Sequence, residues 1–199
     1  MKAALRDIFE TLLLTVVIFL IVQSIVKNFK VEGTSMEPTL HNNEFLLVDK
    51  AVFWSVNTAA AQRVVPSAAP SEGTNRVFVF HGPQRGNIIV FEYPRDTSRD
   101  FIKRVIGLPG DTVEIHDQHV YVNGRALAEP YIMAAPDYSM AAVTVPPGQY
   151  FVLGDNRNDS SDSHVWGTVP FDDIIGEALV SYWPLGDWQF FPSSVMAAP

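Results

Sequence analysis

The sequence predicts a mainly β domain, a sandwich or partly closed barrel, preceded by one N-terminal transmembrane helix. Three observations predict it. Thr11–Val26 reads TLLLTVVIFLIVQSIV and holds no charge. Beyond residue 30 no long amphipathic helical pattern appears. In its place come short runs rich in β-branched and aromatic residues, bounded by Gly, Pro, Asn and Asp.

Extending the apolar segment back to Ile8 gives 19 residues, about 28 Å of helix at 1.5 Å per residue. That nearly matches a hydrocarbon core of about 30 Å. Glu10 then falls near an interface and not at the costly centre. A cleaved leader has a shorter apolar region and a small-x-small site after it. Here Lys27-Asn28-Phe29-Lys30 follow instead. A buried core helix is amphipathic, whereas this one is apolar nearly all round. Residues 1–28 therefore read as tail and anchor, and 29–199 as the β-rich domain. Two basic residues at each end (Lys2 and Arg6, Lys27 and Lys30) leave the orientation unset by charge.

The strand candidates are Phe45–Val48, Val77–Phe80, Ile88–Phe91, Val113–Ile115, Val120–Val122, Tyr150–Leu153 and Ala178–Tyr182. His116–His119 reads as a hairpin turn, which explains the His116-x-x-His119 spacing better than a metal site does. Asn123-Gly124 is a second turn signal. Residues 56–75, rich in Ala, Ser, Pro and Thr, read as a flexible insertion. Met133–Ala142 reads as a second irregular loop. The tail Trp183–Phe191 reads as core, with a membrane-surface contact as the alternative.

Of the 199 residues, 47% are apolar and 18% charged, and the net charge is −8. The first thirty residues hold four basic against two acidic side chains. The remainder holds ten basic against twenty acidic, which argues against nucleic-acid binding. Zero cysteines exclude disulfides, thiolate metal sites and a cysteine nucleophile. No cofactor or metal is expected.

Three polar islands carry the candidate chemistry. The first is Gly33-Thr34-Ser35-Met36-Glu37-Pro38-Thr39-Leu40, just past the anchor. The second is Lys103-Arg104-Val105-Ile106-Gly107-Leu108-Pro109-Gly110-Asp111. The third runs from Gly154 to Ser163 with three Asp, two Asn, one Arg and three Ser. It lacks EF-hand spacing, so a Ca²⁺ loop is disfavoured. A lone loop serine is ordinarily a turn residue, and a strand lysine is ordinarily exposed. Lys103, however, lies between Phe101-Ile102 and Val105-Ile106. If it faces inward, desolvation lowers its pKa toward the range a general base needs.

Ser35-Met36-x-Pro38-Thr39-Leu40, the KR-x-x-G-x-PGD run at 103–111 and GDNR…DS at 154–163 resemble three sequence boxes of type I signal peptidases, a Ser–Lys dyad family. Pro83-x-Arg85-Gly86-x-Ile88–Phe91 and the hairpin Val113–Gly124 resemble further parts of it. Order and placement behind the apolar segment agree as well, over residues 8–184. The resemblance implies a membrane-bound serine endopeptidase that cuts signal peptides from exported preproteins after Ala-x-Ala type sites. It implies Ser35 as nucleophile and Lys103 as base. Ser160 would orient the amine, Asp162 would hold the site loop by charge pairing, and Arg104 would be structural. Val31, Gly33, Met36, Leu40, Phe101 and Ile102 would line the substrate pockets. It also implies a bacterial cytoplasmic membrane with the domain on its outer face, close to the secretion translocon and the lipid surface.

Two departures from the family pattern stand out. Gly33 occupies the position where some members place a serine hydroxyl on the oxyanion. His164 follows Asp162-Ser163 where an arginine is usual. Three rivals are weaker. A triad of His164, Asp162 and a serine lacks a G-x-S-x-G elbow. A self-cleaving repressor would bring a DNA-binding helical domain. A catalytically inactive membrane-tethered peptide-binding β-domain would not need both Ser35 and Lys103.

Overall fold

The computed structural model describes residues 2–191. Helix α1 (Lys2–Ile25) leads the chain, and its large apolar side chains from Ile8 to Val22 are exposed. It is long and apolar enough to cross a membrane. The chain passes directly into β1 (Val26–Lys30), so strand pairing begins inside the 1–28 stretch read as tail and anchor. The reason is register: Val26 pairs with Asp49 and Asn28 with Leu47 on β2 (Phe45–Asp49). A bond from Lys50 N to the Ile25 carbonyl, 2.8 Å, ties the end of α1 to that same corner.

Next come β3 (Ser55–Asn57), the one-turn α2 (Thr58–Gln62) and β4 (Arg76–Phe78). The 56–75 stretch read as a flexible insertion thus opens within strand β3, and β3 and β4 form a small ladder of their own. Asn57 caps α2, its side chain accepting from Ala59 N at 2.9 Å. Gly73, at φ +66° and packed on Pro109, accepts from Gly148 N at 2.9 Å.

The central pair is β5 (Ile88–Tyr93) and β6 (Asp96–Gly107). Then follow β7 (Thr112–His116), β8 (His119–Val122), β9 (Arg125–Ala126), β10 (Met140–Thr144) and β11 (Gln149–Leu153). The last elements are α3 (Ser163–Trp166), β12 (Val169–Pro170), β13 (Ile174–Trp183) and β14 (Gln189–Phe190). The main sheet runs β1–β2–β13–β5–β6–β11–β12, with β14 against β13. A second sheet runs β10–β7–β8–β9. The mainly β architecture agrees with expectation, but the sheets do not close into a barrel.

Both hairpin turns have a shared cause. Asp117 and Gln118 both have positive φ, as do Asn123 and Gly124, the signature of type I′ turns whose twist suits flanking strands. Met140 lies in the stretch read as irregular and yet starts β10, paired with Ile115.

The first four residues of β5, Ile88–Phe91, are a continuous apolar run because both faces of the strand are covered there. Ile88 and Val90 pack with Val31, Met36, Leu40, Leu46, Val48, Ala178 and Phe191. Ile89 and Phe91 pack on the other face with Phe53, Val105, Tyr150, Val152, Trp166 and Val169. A third cluster fills the space beneath the second sheet. The aromatic tail is only partly core. Phe191 is buried, whereas Trp183, Leu185, Trp188 and Phe190 are exposed, which corrects the expectation for most of that segment.

Candidate active site

Ser35 sits in a tight run of turns just beyond β1. Gly33 has φ +91°, a region that favours glycine, and its N–H donates to Asn42 Oδ1 at 3.0 Å. Glu37 N then donates to Thr34 O, and Leu40 N to Met36 O at 2.9 Å. This winding drives Met36 and Leu40 into the core, where both are fully buried. They do not line the cleft, contrary to expectation, because the chain coils immediately after Ser35.

The third island grips this turn. Asn156 N donates to Ser35 O at 3.0 Å and Asn156 Nδ2 to Thr34 O at 3.2 Å. Thr34 Oγ1 donates to Asp159 Oδ2 at 2.6 Å. Gly154 is required by the closeness of this contact. A Cβ there would lie 2.2 Å from Ser160 Oγ and 2.4 Å from Ser35 O.

Lys103 comes from β6, which pairs it with Ile89 on β5. Directly opposed residues share a face, so alternation puts Phe101, Lys103 and Val105 on one side and Ile102, Arg104 and Ile106 on the other. Lys103 is 4% exposed. Its Nζ lies 2.7 Å from Ser35 Oγ and 2.8 Å from the Ile102 carbonyl, above the Phe101 ring at 5.4 Å. Burial lowers its pKa from 10.5 to about 8, against the opposing pull of Asp162 and Asp155.

Arg104 is also buried, but it has a carboxylate. Its Nε and Nη2 reach Asp155 at 2.8 and 2.6 Å, and Nη1 donates to Gly86 O at 2.9 Å. Asp155 further accepts from Thr39 Oγ1 at 2.5 Å. Tyr131 stacks over the guanidinium at 4.1 Å and donates to Glu129, which pairs with buried Arg157. Arg104 thus ties the nucleophile turn, the central strands and the third island together. Sequence reasoning gave no role to Asp155. The signal was its place beside Gly154 in the third motif.

Asp162 is fully buried. It accepts from Gly154 N at 2.9 Å through Oδ2, and Oδ1 lies 2.6 Å from His164 Nδ1 and accepts from His164 N at 3.2 Å. It also caps α3. Ser160 differs from expectation. Its hydroxyl is buried with no hydrogen-bond partner, so the orienting bond to Lys103 is not made. The Ile102 carbonyl occupies that role on the amine.

The dyad opens into a cleft of about 530 Å³ between the β1–Ser35 segment and residues 99–103 of β6. Val31, Gly33, Phe101 and Ile102 line it. Phe29, Leu46, Val90, Arg99, Asp100 and Asp159 do too, and these were missed. Phe29 was masked by its position in the basic stretch after the anchor. Among the described residues no cluster of His, Cys, Asp or Glu is placed to hold a metal ion.

A β domain behind one apolar helix, with a lysine amine against a serine hydroxyl, defines an anchored hydrolase framework, and comparison with known proteins makes the class specific. The family profile described as signal peptidase, peptidase S26 matches residues 5–183, and the chain belongs to that family. It is 41% identical over 165 residues to the probable signal peptidase I-1 of Synechocystis sp., covering 79% of this chain and 71% of that one. It is 38% identical over 185 residues to the signal peptidase I of Leptolyngbya laminosa, covering 88% and 78%. Against the signal peptidase I U of Bacillus subtilis it is 34% identical over 192 residues, covering 92% and 89%. The chain is accordingly a peptidase, anchored to a membrane by α1.

Proposed function

We propose that this chain removes N-terminal signal peptides from exported preproteins, with Ser35 as nucleophile and Lys103 as general base. The observation that carries the reading is the 2.7 Å contact between Lys103 Nζ and Ser35 Oγ at the floor of the cleft. With its pKa near 8, roughly a tenth of the amine is neutral at pH 7, against roughly three parts in ten thousand for an ordinary lysine. The neutral amine accepts the Ser35 proton as Oγ attacks the scissile carbonyl. It then returns that proton to the leaving amine. The Ser35 N–H faces the developing oxyanion. Gly33 N–H, already bonded to Asn42, does not replace the missing hydroxyl.

The substrate lies extended between the Phe29–Ser35 segment and β6, adding a strand across the gap in the sheet. Val31, Phe101 and Ile102 line the pockets around its small side chains, so bulkier ones are excluded by steric conflict. Ser160 and Asp162 support the loop behind the dyad. The domain faces the outer side of a bacterial cytoplasmic membrane, next to lipid and near the translocon, where signal peptides emerge.

The test is cleavage of a synthetic preprotein with an Ala-x-Ala site by the full chain in detergent. Wild type cuts after the second Ala and Ser35→Ala does not. Absence of cutting by the wild type, or equal cutting by Ser35→Ala, overturns the reading. Because the chain has no cysteine, a single one introduced at Glu72 reports orientation. It is labelled by an impermeant maleimide from outside intact cells if the domain is external.

A further inference from the structure

The cleft is charged differently on the two sides of Ser35. Around the pockets that take the residues before the scissile bond, the charged lining is balanced. Lys30 and Glu32 flank Val31, and Arg99 and Asp100 precede Phe101. Asp100 is matched further by Lys27 at 3.8 Å, and Arg99 lies over the Phe101 ring at 5.2 Å. Where the third island meets the nucleophile turn, the lining is Asp159 and Ser161. Among the described residues, Asp159 is the one charged side chain that this island gives to the cleft.

Asp159 is exposed, yet it is held in place from two directions. Its backbone N–H donates to Asn156 O at 3.1 Å, closing the short turn Arg157–Asp159. Arg157 anchors that turn from below: it is buried, donates to Gly154 O at 3.0 Å and pairs with Glu129. On the side chain, Oδ2 accepts from Thr34 Oγ1 at 2.6 Å. Among the described residues Oδ1 has no hydrogen-bond partner, and no Lys, Arg or His comes within ion-pairing distance of the carboxylate.

The place of this carboxylate relative to the cut follows from chain geometry. Thr34 precedes Ser35, and consecutive Cα atoms are about 3.8 Å apart. An extended substrate advances about 3.3 Å per residue. A polypeptide that seats its small side chains beside Val31, Phe101 and Ile102 and presents the next bond to Ser35 continues past Thr34 and Asp159 within about two residues.

We propose that Asp159 is a specificity-determining residue for the segment that leaves, favouring Lys or Arg at the first two positions after the cut and disfavouring Asp or Glu there. The substrate class is then preproteins whose mature part opens with basic residues. An incoming ammonium or guanidinium meets a carboxylate with one oxygen unused. Thr34 already fixes that carboxylate, so little side-chain freedom is lost on the enzyme's side when the pair forms. An incoming carboxylate meets like charge. Because the position is open to water, the discrimination is modest and is screened by salt.

The proposal rests on the Ser35–Lys103 reading, and the test separates the two. The full chain in detergent is given four peptides that share an Ala-x-Ala site. In one pair Lys-Lys or Glu-Glu follows the bond. In the other the same dipeptides stand directly before the Ala-x-Ala stretch. After the bond, kcat/KM is expected to be about 3- to 10-fold higher for Lys-Lys than for Glu-Glu, and about 1 M salt should remove most of that ratio. Before the site, the two should agree within about twofold. Asp159→Asn keeps an acceptor for the Thr34 hydroxyl and removes the charge, so the ratio after the bond should fall to about one. Asp159→Lys should invert it. Each ratio compares two substrates on one protein preparation, so a smaller folded fraction in a variant cancels. Equal preference on both sides of the cut overturns the proposal, because the acidic domain as a whole would then be drawing in the cation. No preference in the wild type, or a preference that survives Asp159→Asn, overturns it too. If neither variant folds, the wild-type ratios and their salt dependence decide. If the wild type cuts none of the four peptides, the Ser35–Lys103 reading falls and this proposal falls with it.

Discussion

Lys103 and Arg104 are neighbours on one strand, both cationic by nature and both buried, yet the two faces of the sheet treat them in opposite ways. Arg104 meets a bidentate carboxylate at 2.6 and 2.8 Å, a backbone carbonyl and a stacked tyrosine. Lys103 meets a hydroxyl, a carbonyl and an aromatic ring, with its nearest carboxylates acting only at longer range. Burial alone does not decide whether a cation keeps its charge. The direct partner does. Arg104 is a fixed brace, whereas Lys103 is held where losing its proton is easy.

The comparison breaks most visibly at Lys103 itself. Lys103→Met keeps the length and burial of the side chain but has no amine, and kcat is expected to fall by at least about 10³-fold. Wild-type activity should also rise with pH toward a midpoint near 8, dropping close to tenfold per pH unit well below it. A flat profile from pH 6 to 9 would sink the assignment of Lys103 as the base.

On the other face, Asp155→Asn leaves the Arg104 guanidinium buried without its counter-charge. Breaking a buried pair in this way costs about 3–5 kcal/mol. Chemical denaturation of the detergent-solubilised chain should show it as a lower midpoint. A loss below 1 kcal/mol would mean that Arg104 is not the brace described.

The same Lys103→Met change is expected to stabilise the fold. Below pH 8 the wild type carries an ammonium both folded and unfolded, so the folded state bears the whole desolvation cost, on the order of 3 kcal/mol. Between pH 8 and 10.5 the folded amine is neutral while the unfolded one still holds a proton. The unfolded state then binds more protons, and wild-type stability climbs with pH. The advantage of Lys103→Met is therefore largest below pH 8 and fades toward 10.5. An advantage that does not vary with pH would point to packing and not to charge.

How much of this contrast was legible beforehand follows from where each signal sits. The apolar neighbours of Lys103 left its burial open, since a strand lysine is ordinarily exposed, and it was the resemblance of the three motifs that brought together Ser35, Lys103 and the third island. Strand β6 itself was not visible. Its first half, Asp96–Asp100, is polar and exposed, so no alternation marks it. Met36 and Leu40 were placed in the cleft by motif position, while the turn that buries them depends on backbone bonds that composition does not encode. Ser160 was given a bond to the amine from motif position, but hydroxyl orientation is set by packing around Gly154. Asp155 needed the third dimension, since it and Arg104 are 51 residues apart.

The smallest effect sharpens the contrast from outside the core. Arg76 and Asp172 form an ion pair as well, with the guanidinium over the Phe171 ring at 4.8 Å. Its carboxylate is three-quarters exposed, so water already solvates the charge that Asp155 leaves to Arg104 alone. Asp172→Asn is expected to cost about 0–1 kcal/mol and to leave kcat/KM unchanged. Added salt should erase even that difference, while the loss in Asp155→Asn persists because its partner is shielded from ions. If the two variants lose equal stability, solvent access is not what separates a brace from a decoration, and the account of Lys103 fails with it, since that account depends on the same separation.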